Sequence, residues 1–288
     1  MKILITGSSG FIGGALYNHL SKNPKYELTG LDSINGEGTE LLLNTDKKYD
    51  LIYHFAAING TKLFYEKPTY VLIQNTKTTL DVYEYLKKNK NTKIVFSSTC
   101  ELFNGAINDG IYKLPTDEKV PVYFNDINNP RWSYSLPKAL GENLFANIEN
   151  KHLNIRFFNI FGPKQKDHFI PEFIYRLKRK EKAEIFGNDT RSFCFIKDAV
   201  GIIEKLLLAD IWNETINIGN DEEFSIEEIA RKIMTILKIK EELIINPSPV
   251  GSATRRVPNL NKLEKLIGNF HYTNINLALE ETINSYDN

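Results

Sequence analysis

An α/β fold with a doubly wound, mainly parallel sheet and a smaller C-terminal domain is predicted by two features of this sequence. The first is the alternation of short apolar runs with amphipathic runs of helix length through the first half of the chain. The second is a glycine-rich turn directly after the first apolar run. Alternation of this kind is typical of βαβ units with buried parallel strands. Such sheets bind ligands at the carboxyl ends of their strands.

The predicted strands are short and apolar. Residues 2–6 (KILIT) form a run that is too short for a helix and is followed by a glycine, which favours a buried strand. On the same grounds, further strands are predicted at 26–31, 50–57, 92–97 and 154–160.

Helices are predicted where apolar residues recur at helical spacing. These segments are the stretch after Gly13, with Leu16 and Leu20 on one face, and residues 68–88, 134–147 and 225–239. In the last segment Ser225 is the cap and Glu228 follows three residues later. The charged run 176–182 (RLKRKEK) is interpreted as a solvent-exposed helix face.

Composition excludes several classes of protein. The 288 residues include 36 basic and 36 acidic side chains, a balance that argues against a nucleic-acid partner. No apolar run approaches the roughly 20 residues of a membrane span, and no signal peptide is recognised, so we expect a cytoplasmic protein without a membrane partner. Two cysteines, Cys100 and Cys194, suit a reducing compartment, and the five histidines form no metal-ligand cluster.

The glycine-rich turn predicts a dinucleotide site. Gly7, Gly10 and Gly13 lie between the first strand and the first helix, where backbone must approach a pyrophosphate and helix amides must point at it. Asp32 ends the second strand, and a carboxylate there accepts hydrogen bonds from an adenosine ribose and repels a 2′-phosphate. We therefore predict a Rossmann-type domain that binds NAD rather than NADP.

Several motifs occur in the order found in one known superfamily. They are GSSGFIG (7–13), HFAA (54–57), FSST (96–99), the pair Tyr134 and Lys138, and FFNIFGP (157–163). With these residues the chain resembles the extended short-chain dehydrogenase/reductases, and within them the NAD-dependent nucleotide-sugar epimerase/dehydratase group. Later segments continue the resemblance nearly to the end of the chain: 190–199 (TRSFCFIKDA), 216–219 (INIG) and 255–259 (RRVPN).

The resemblance implies a division into two interleaved domains. Residues 1–161, with about 196–218, would form the NAD-binding Rossmann domain. Residues 162–195 and 219–288 would form the nucleotide-sugar substrate domain. Substrate choice is expected to depend on 162–195 and 245–260. Relatives pair through two helices, so a homodimer through 68–88 and 134–147 is expected.

Tyr134 and Lys138 carry the predicted chemistry. Four residues apart, they share one face of a helix, and an ammonium beside a phenol lowers the phenol pKa. By resemblance Tyr134 takes the proton from a sugar hydroxyl while hydride leaves to NAD, and Lys138 also holds the nicotinamide ribose.

The same resemblance implies the other site residues. The remaining cofactor contacts would come from Gly7, Gly10, Phe11, Ile12, Gly13, Asp32, Ala56, Ala57 and Ser97. The substrate would contact Thr99, Asn159, Arg191 and Arg256.

The triplet Thr99-Cys100-Glu101 leaves the reaction open. In dehydratases of this group the glutamate abstracts the C5 proton and a neighbouring acid helps the C6 hydroxyl to leave, which would make Glu101 and Cys100 catalytic. Cys100 is equally compatible with an inert buried side chain. UDP-glucuronate decarboxylases also carry the glutamate, together with a late arginine that Arg256 matches. Simple 4-epimerases need neither residue.

Two departures from the family pattern bear on the site. The segment 33–50 is short where the family usually has a longer third strand and a helix, so the residue that contacts the adenine is left open. Pro137 replaces a common serine, and because proline lacks an amide donor it is expected to distort the helix locally.

Three function classes remain. The chain could be a nucleotide-sugar epimerase or dehydratase, with the decarboxylase as its alternative, a catalytically silent NAD-binding scaffold, or a reductase that uses external cofactor. The presence of Thr99, Tyr134 and Lys138 together favours the first class.

Overall fold

The structure, a computed structural model, describes residues 1–247 and 255–286. Its helices and strands alternate as the sequence predicts. In chain order they are β1 Lys2–Thr6, α1 Phe11–Leu20, β2 Glu27–Leu31, β3 Leu51–His54, α2 Thr61–Glu66, α3 Pro68–Lys88, β4 Lys93–Thr99, α4 Asn104–Asn108, α5 Trp132–Ala146, β5 His152–Phe157, β6 Ile160–Phe161, α6 Phe169–Lys178, β7 Glu184–Phe186, β8 Thr190–Ser192, β9 Cys194–Phe195, α7 Ile196–Leu208, β10 Glu214–Ile218, β11 Glu223–Ser225, α8 Ile226–Ile236, β12 Ile244–Asn246, β13 Arg255–Arg256, α9 Asn261–Ile267 and α10 Ile275–Asn284.

Six of the strands form one parallel sheet in the order β10-β5-β4-β3-β1-β2. Because successive side chains of a strand point to opposite faces, β1 serves two cores. Ile3 and Ile5 pack on the side of α1 and α7, whereas Leu4 packs with Val82 of α3 and Phe145 of α5. Both faces of the sheet are therefore covered by helices, and the predicted doubly wound α/β fold is confirmed.

The remaining strands form small sheets in the second half of the chain. Their orders are β11-β8-β13, β12-β7 and β6-β9. The segment 196–218 nevertheless contributes α7 and β10, and β10 pairs with β5 in the large sheet. The chain thus returns to the large sheet after leaving it. The division into two interleaved domains, with its boundaries, stays a prediction.

The short segment after β2 contains two 3₁₀ helices, Ser33–Asn35 and Thr39–Asn44, and no strand. As a result β2 is the edge strand of the large sheet. Within residues 1–247 and 255–286, no helix is long and apolar enough to cross a membrane.

Local predictions agree with most of the observed elements. The helix 68–88 begins and ends as predicted, and Ser225 and Glu228 form a reciprocal capping box at the start of α8. The charged run 176–182 differs, because α6 ends at Lys178 and only the first three residues of the run are helical. Arg176 is not simply solvated either, since its guanidinium donates to the backbone oxygen of Glu184.

Helix α5 lies close to β4 because it carries a glycine where the two elements meet. A Cβ built on Gly141 would lie 2.3 Å from Cζ of Phe96, a ring that is only 1% exposed. No side chain larger than hydrogen fits there without movement of the helix or the ring.

We predict that Gly141→Ala lowers the free energy of unfolding by about 1–3 kcal/mol, because overpacking forces α5 away from β4. Chemical denaturation measures this change. Gly201→Ala in α7 is the matched control, since its Cβ would meet nothing closer than 3.6 Å. That variant should be neutral or up to about 1 kcal/mol more stable, because alanine is the better helix former. Equal effects of the two substitutions would contradict the packing argument.

Candidate active site

A cavity of about 1100 Å³ opens at the carboxyl ends of the central strands, between the two parts of the chain. The glycine-rich turn forms one end of the cavity. The last residues of β4 and the first half of α5 form its middle. The segments around α6 and β8 and Arg256 of β13 close the other side. The volume exceeds that of an ordinary single-ligand pocket, which suits two ligands bound side by side.

Two of the three glycines are required by the shape of the turn. Gly7 has φ +73° and packs against the chain after β3, where its Cβ would lie 2.6 Å from the backbone nitrogen of Ala56. A Cβ on Gly13 would lie 2.1 Å from the backbone oxygen of Gly7. No side chain caps α1, so the amides at its N-terminus remain available to an anion.

All but two of the site residues predicted from sequence line this one cavity. The exceptions are Asp32 and Ala56. The Asp32 carboxylate lies beside the cavity and accepts hydrogen bonds from the amides of Ser9 (2.9 Å) and Ile34 (3.0 Å). Ala56 supports the glycine turn from behind, and its amide donates to the hydroxyl of Thr6.

Lys138 is fixed against the end of β4. Its Nζ donates to the backbone oxygen of Ser97 at 2.6 Å and to the Ser97 hydroxyl at 3.1 Å. The same Nζ lies 5.7 Å from the centroid of the Tyr134 ring. Helix α5 continues through Pro137, so the expected distortion does not separate the pair.

The pKa values of the two groups differ from the sequence-based expectation. Burial raises the pKa of Tyr134, and the charges of Glu101 and Cys100 add to this, while a hydrogen bond with Thr99 opposes it. Burial also lowers the pKa of Lys138 to about 7, against the attraction of Glu142. The pKa of Tyr134 thus shifts in the direction opposite to the expected lowering, because burial and the negative charge of Glu101 both favour the neutral phenol.

Glu101 is held in a cluster of hydrogen-bond donors. Arg131 donates from Nε to Oε2 (2.8 Å) and from Nη2 to Oε1 (2.9 Å). Arg256 contacts Oε1 from Nη2 at 2.8 Å, and the side-chain amide of Asn104 donates to Oε2. Despite burial, the two arginines hold the pKa of Glu101 at about 2. The side chain is therefore an ionised carboxylate with both oxygens engaged.

The other predicted residues have varied environments. Burial raises the pKa of the Cys100 thiol to about 11, so the sulfur is protonated at neutral pH. Asn159 has φ 38° and its side chain donates to the backbone oxygen of Ser192. Arg191 pairs with Asp189 at 3.3 Å.

The segment 245–260 was expected to influence substrate choice. Its residues 248–254 lie outside the described residues, so that expectation stays a prediction.

Two further residues reach the reacting groups, although sequence reasoning did not identify them. The ring of Phe64, on α2, stacks on Tyr134 with centroids 5.0 Å apart and planes 17° from parallel. Arg131 lies at the N-terminal boundary of α5 and binds Glu101. Its position three residues before Tyr134 could have identified Arg131 from the sequence, because residues three apart share a helix face. No local pattern points to Phe64.

Comparison with known proteins gives a family. A model of the NAD dependent epimerase/dehydratase family matches residues 3–219. The chain is 28% identical over 319 residues to the UDP-N-acetyl-alpha-D-glucosaminuronate decarboxylase of Bacillus cytotoxicus, with 98% of this chain and 96% of that protein covered. It is 30% identical over 274 residues to the dTDP-D-glucose 4,6-dehydratase of Dictyostelium discoideum, with 82% and 62% covered.

The fold is shared with solved structures. The UDP-glucose 4-epimerase of Thermotoga maritima superposes with a TM-score of 0.86 at 20% identity, with 100% of this chain and 99% of that chain covered. The three similar proteins are named for three different reactions, so similarity alone does not choose among decarboxylation, dehydration and epimerisation.

Lys138 should make the stability of the ligand-free protein depend on pH. Between its native pKa of about 7 and its ordinary value of 10.5, the unfolded chain binds a proton that the native protein does not. The free energy of unfolding should therefore rise with pH from about 7 to 9. Urea titrations of wild type and Lys138→Met test this, and the variant should lack the rise. The control is Lys265→Met, which removes an exposed lysine and should retain it; an identical pH dependence in all three proteins would refute the assignment.

Proposed function

The chain belongs to the NAD dependent epimerase/dehydratase family, and from this premise we propose that it oxidises C4 of a nucleotide-linked sugar to a transient 4-keto intermediate. The observation that carries this proposal is the convergence of Thr99, Tyr134 and Lys138 beside the glycine turn. Such a set matches the chemistry of alcohol oxidation, which needs a proton acceptor on the hydroxyl and a cation that stabilises it.

The residues present fit NAD. The uncapped N-terminus of α1 suits a pyrophosphate, Asp32 suits the adenosine ribose, and Lys138 suits the nicotinamide ribose. When bound, NAD supplies a positively charged ring that accepts a hydride. For this role the raised pKa of Tyr134 must fall when the cationic cofactor ring binds, so that its phenolic oxygen can receive the C4 hydroxyl proton. The Thr99 hydroxyl would orient the substrate. The stacked ring of Phe64 would keep the phenol in one orientation.

Among the reactions that follow oxidation, we propose decarboxylation of a nucleotide-linked uronic acid. A 4-keto uronate is a β-keto acid, so the C5–C6 bond breaks, CO₂ leaves and the electron pair passes to the C4 oxygen as an enolate. C5 then takes a proton from water, the hydride returns to C4, and Tyr134 returns its proton to the C4 oxygen. Binding of a uronate is favoured by cationic groups near C6, and Arg131 and Arg256 meet at Glu101, two residues beyond Thr99.

Dehydration is less well supported, because it needs a carboxylate that can accept the C5 proton. Glu101 has both oxygens occupied by arginine and amide donors, and its pKa of about 2 makes it a weak base. Cys100, with its pKa of about 11, is a weak acid for the C6 hydroxyl.

Product masses test the proposal. With NAD and a panel of UDP-, GDP-, dTDP- and CDP-linked hexoses and uronates, we expect loss of CO₂ from a uronate. Loss of water would instead indicate a dehydratase, and an unchanged mass with a new chromatographic peak an epimerase. No reaction of any sugar would reject the enzyme proposal in favour of a silent NAD-binding protein.

Tyr134→Phe should reduce turnover by roughly 100-fold or more, since it removes the group that holds the transferred proton. NAD binding, followed by fluorescence titration, should persist. The control is Tyr83→Phe in α3, which does not line the cavity and should leave turnover unchanged. Full activity of Tyr134→Phe would exclude its role as the proton acceptor.

We also propose a homodimer through α3 and α5. Tyr70, Ile73 and Leu80 of α3 are 51%, 55% and 42% exposed and lie on one helix face. Leu140 of α5, the helix that packs against α3, is also apolar and 38% exposed. Burial against a second copy would remove these side chains from water.

The double variant Ile73→Glu, Leu80→Glu should convert a dimer to a monomer at micromolar concentration, because paired faces would bury four or more carboxylates. Multi-angle light scattering measures the mass. Leu208→Glu, at a residue that is 70% exposed on α7, is the control and should stay dimeric. A wild type that is monomeric across this range would refute the dimer.

A further inference from the structure

We infer that Arg131 sets the preference of this site for a substrate with a carboxylate next to the reacting carbon, and that it does so through Glu101. The inference rests on the proposed function and adds to it a specificity-determining residue. Arg131 would be a positioning residue, since its guanidinium is bound to Glu101 and its effect on the substrate is exerted through the charge of that pair.

The number of positive and negative charges around Glu101 is unequal. Glu101 is one carboxylate, and two guanidinium groups, those of Arg131 and Arg256, contact it within 2.9 Å. Asn104 is neutral and contributes hydrogen bonds to both Glu101 and Arg256. The neighbouring Arg191 is matched by Asp189. Among the described residues, the groups bound to Glu101 therefore carry one positive charge in excess.

A second buried ion pair in the same protein illustrates the arrangement expected of a pair that only supports the fold. Arg156 donates to both oxygens of Glu142, at 2.7 Å each, and no second arginine contacts that carboxylate among the described residues. One cation and one anion leave no net charge, which is the arrangement expected of a buried pair that only supports the fold. The cluster at Glu101 differs from this arrangement, because two cations contact one anion, and the cluster lines the cavity.

The position of the excess charge selects the anion. Glu101 follows Thr99 by two residues, and its amide donates to the Thr99 hydroxyl. Thr99 and Tyr134 line the same cavity, and the C4 hydroxyl would bind between them. In a hexose ring C5 adjoins C4 and carries C6, whereas the diphosphate is attached at C1 across the ring. A carboxylate at C6 is therefore the substrate anion nearest to the cluster.

Arg131 supplies the additional positive charge in the cluster around Glu101. If Arg131 were neutral, Glu101 and Arg256 would form a balanced pair like Glu142 and Arg156, and a uronate would bring an uncompensated negative charge. With Arg131 present, the two guanidinium groups balance Glu101 and the substrate carboxylate together.

The test is calorimetric titration of NAD-loaded protein with UDP-glucuronate and with UDP-glucose, with every protein carrying Tyr134→Phe so that binding is measured without turnover. The wild type should prefer UDP-glucuronate, and Arg131→Gln should reduce that preference by roughly 10- to 100-fold, chiefly through weaker binding of UDP-glucuronate. Arg131→Lys keeps the charge and should recover most of the preference. Glu101→Gln removes the resident anion and should retain or increase it. Arg231→Gln, which removes an exposed ion pair on α8, is the control and should behave as wild type.

Each alternative result has a distinct meaning. An unchanged preference in Arg131→Gln, or equal losses of both ligands in Arg131→Gln and Arg131→Lys, would overturn the inference. The latter pattern is that of a structural residue. A wild type that binds the two ligands equally would overturn the inference and leave the nucleotide-sugar proposal intact. A wild type that binds neither would contradict both together.

Discussion

The contact between α5 and β4 is the constraint on which the whole site depends. Gly141 lets the helix lie directly on the ring of Phe96, and Lys138 is tied to the end of the strand through Ser97. This contact brings the C-terminal end of β4 and the N-terminal end of α5 together. Thr99 ends the strand and Tyr134 lies one helical turn before Lys138, so the proposed proton acceptor and its hydroxyl neighbour meet without help from a flexible loop.

The same contact sets the electrostatics of the site. The chain just beyond β4 carries Glu101, and the start of α5 carries Arg131, so the ion pair forms between the continuations of the two packed elements. Arg256 approaches from β13 in the second half of the chain. A cation from each half of the protein thus meets one carboxylate. The same few side chains would both line the cavity and select a charged substrate.

Burial has opposite consequences for the charged groups in this region. It raises the pKa of Tyr134 and lowers that of Lys138, and both shifts oppose ionisation in the absence of ligands. Glu101 stays ionised because two arginines outweigh its desolvation. The carboxylate is therefore a fixed charge, whereas the phenol and the amine are poised to change protonation when their surroundings change.

The amino-acid sequence by itself determined the fold class, the helix over 68–88, the glycine turn and the pair Tyr134 and Lys138, because these depend on local periodicity, on glycine conformation and on spacing along one helix. Tertiary structure decided the rest. The stacking of Phe64, the direction of the Tyr134 pKa shift and the two arginines on Glu101 involve residues far apart in the chain. Desolvation and charge balance depend on what surrounds a group in space, and the order of residues does not specify those surroundings.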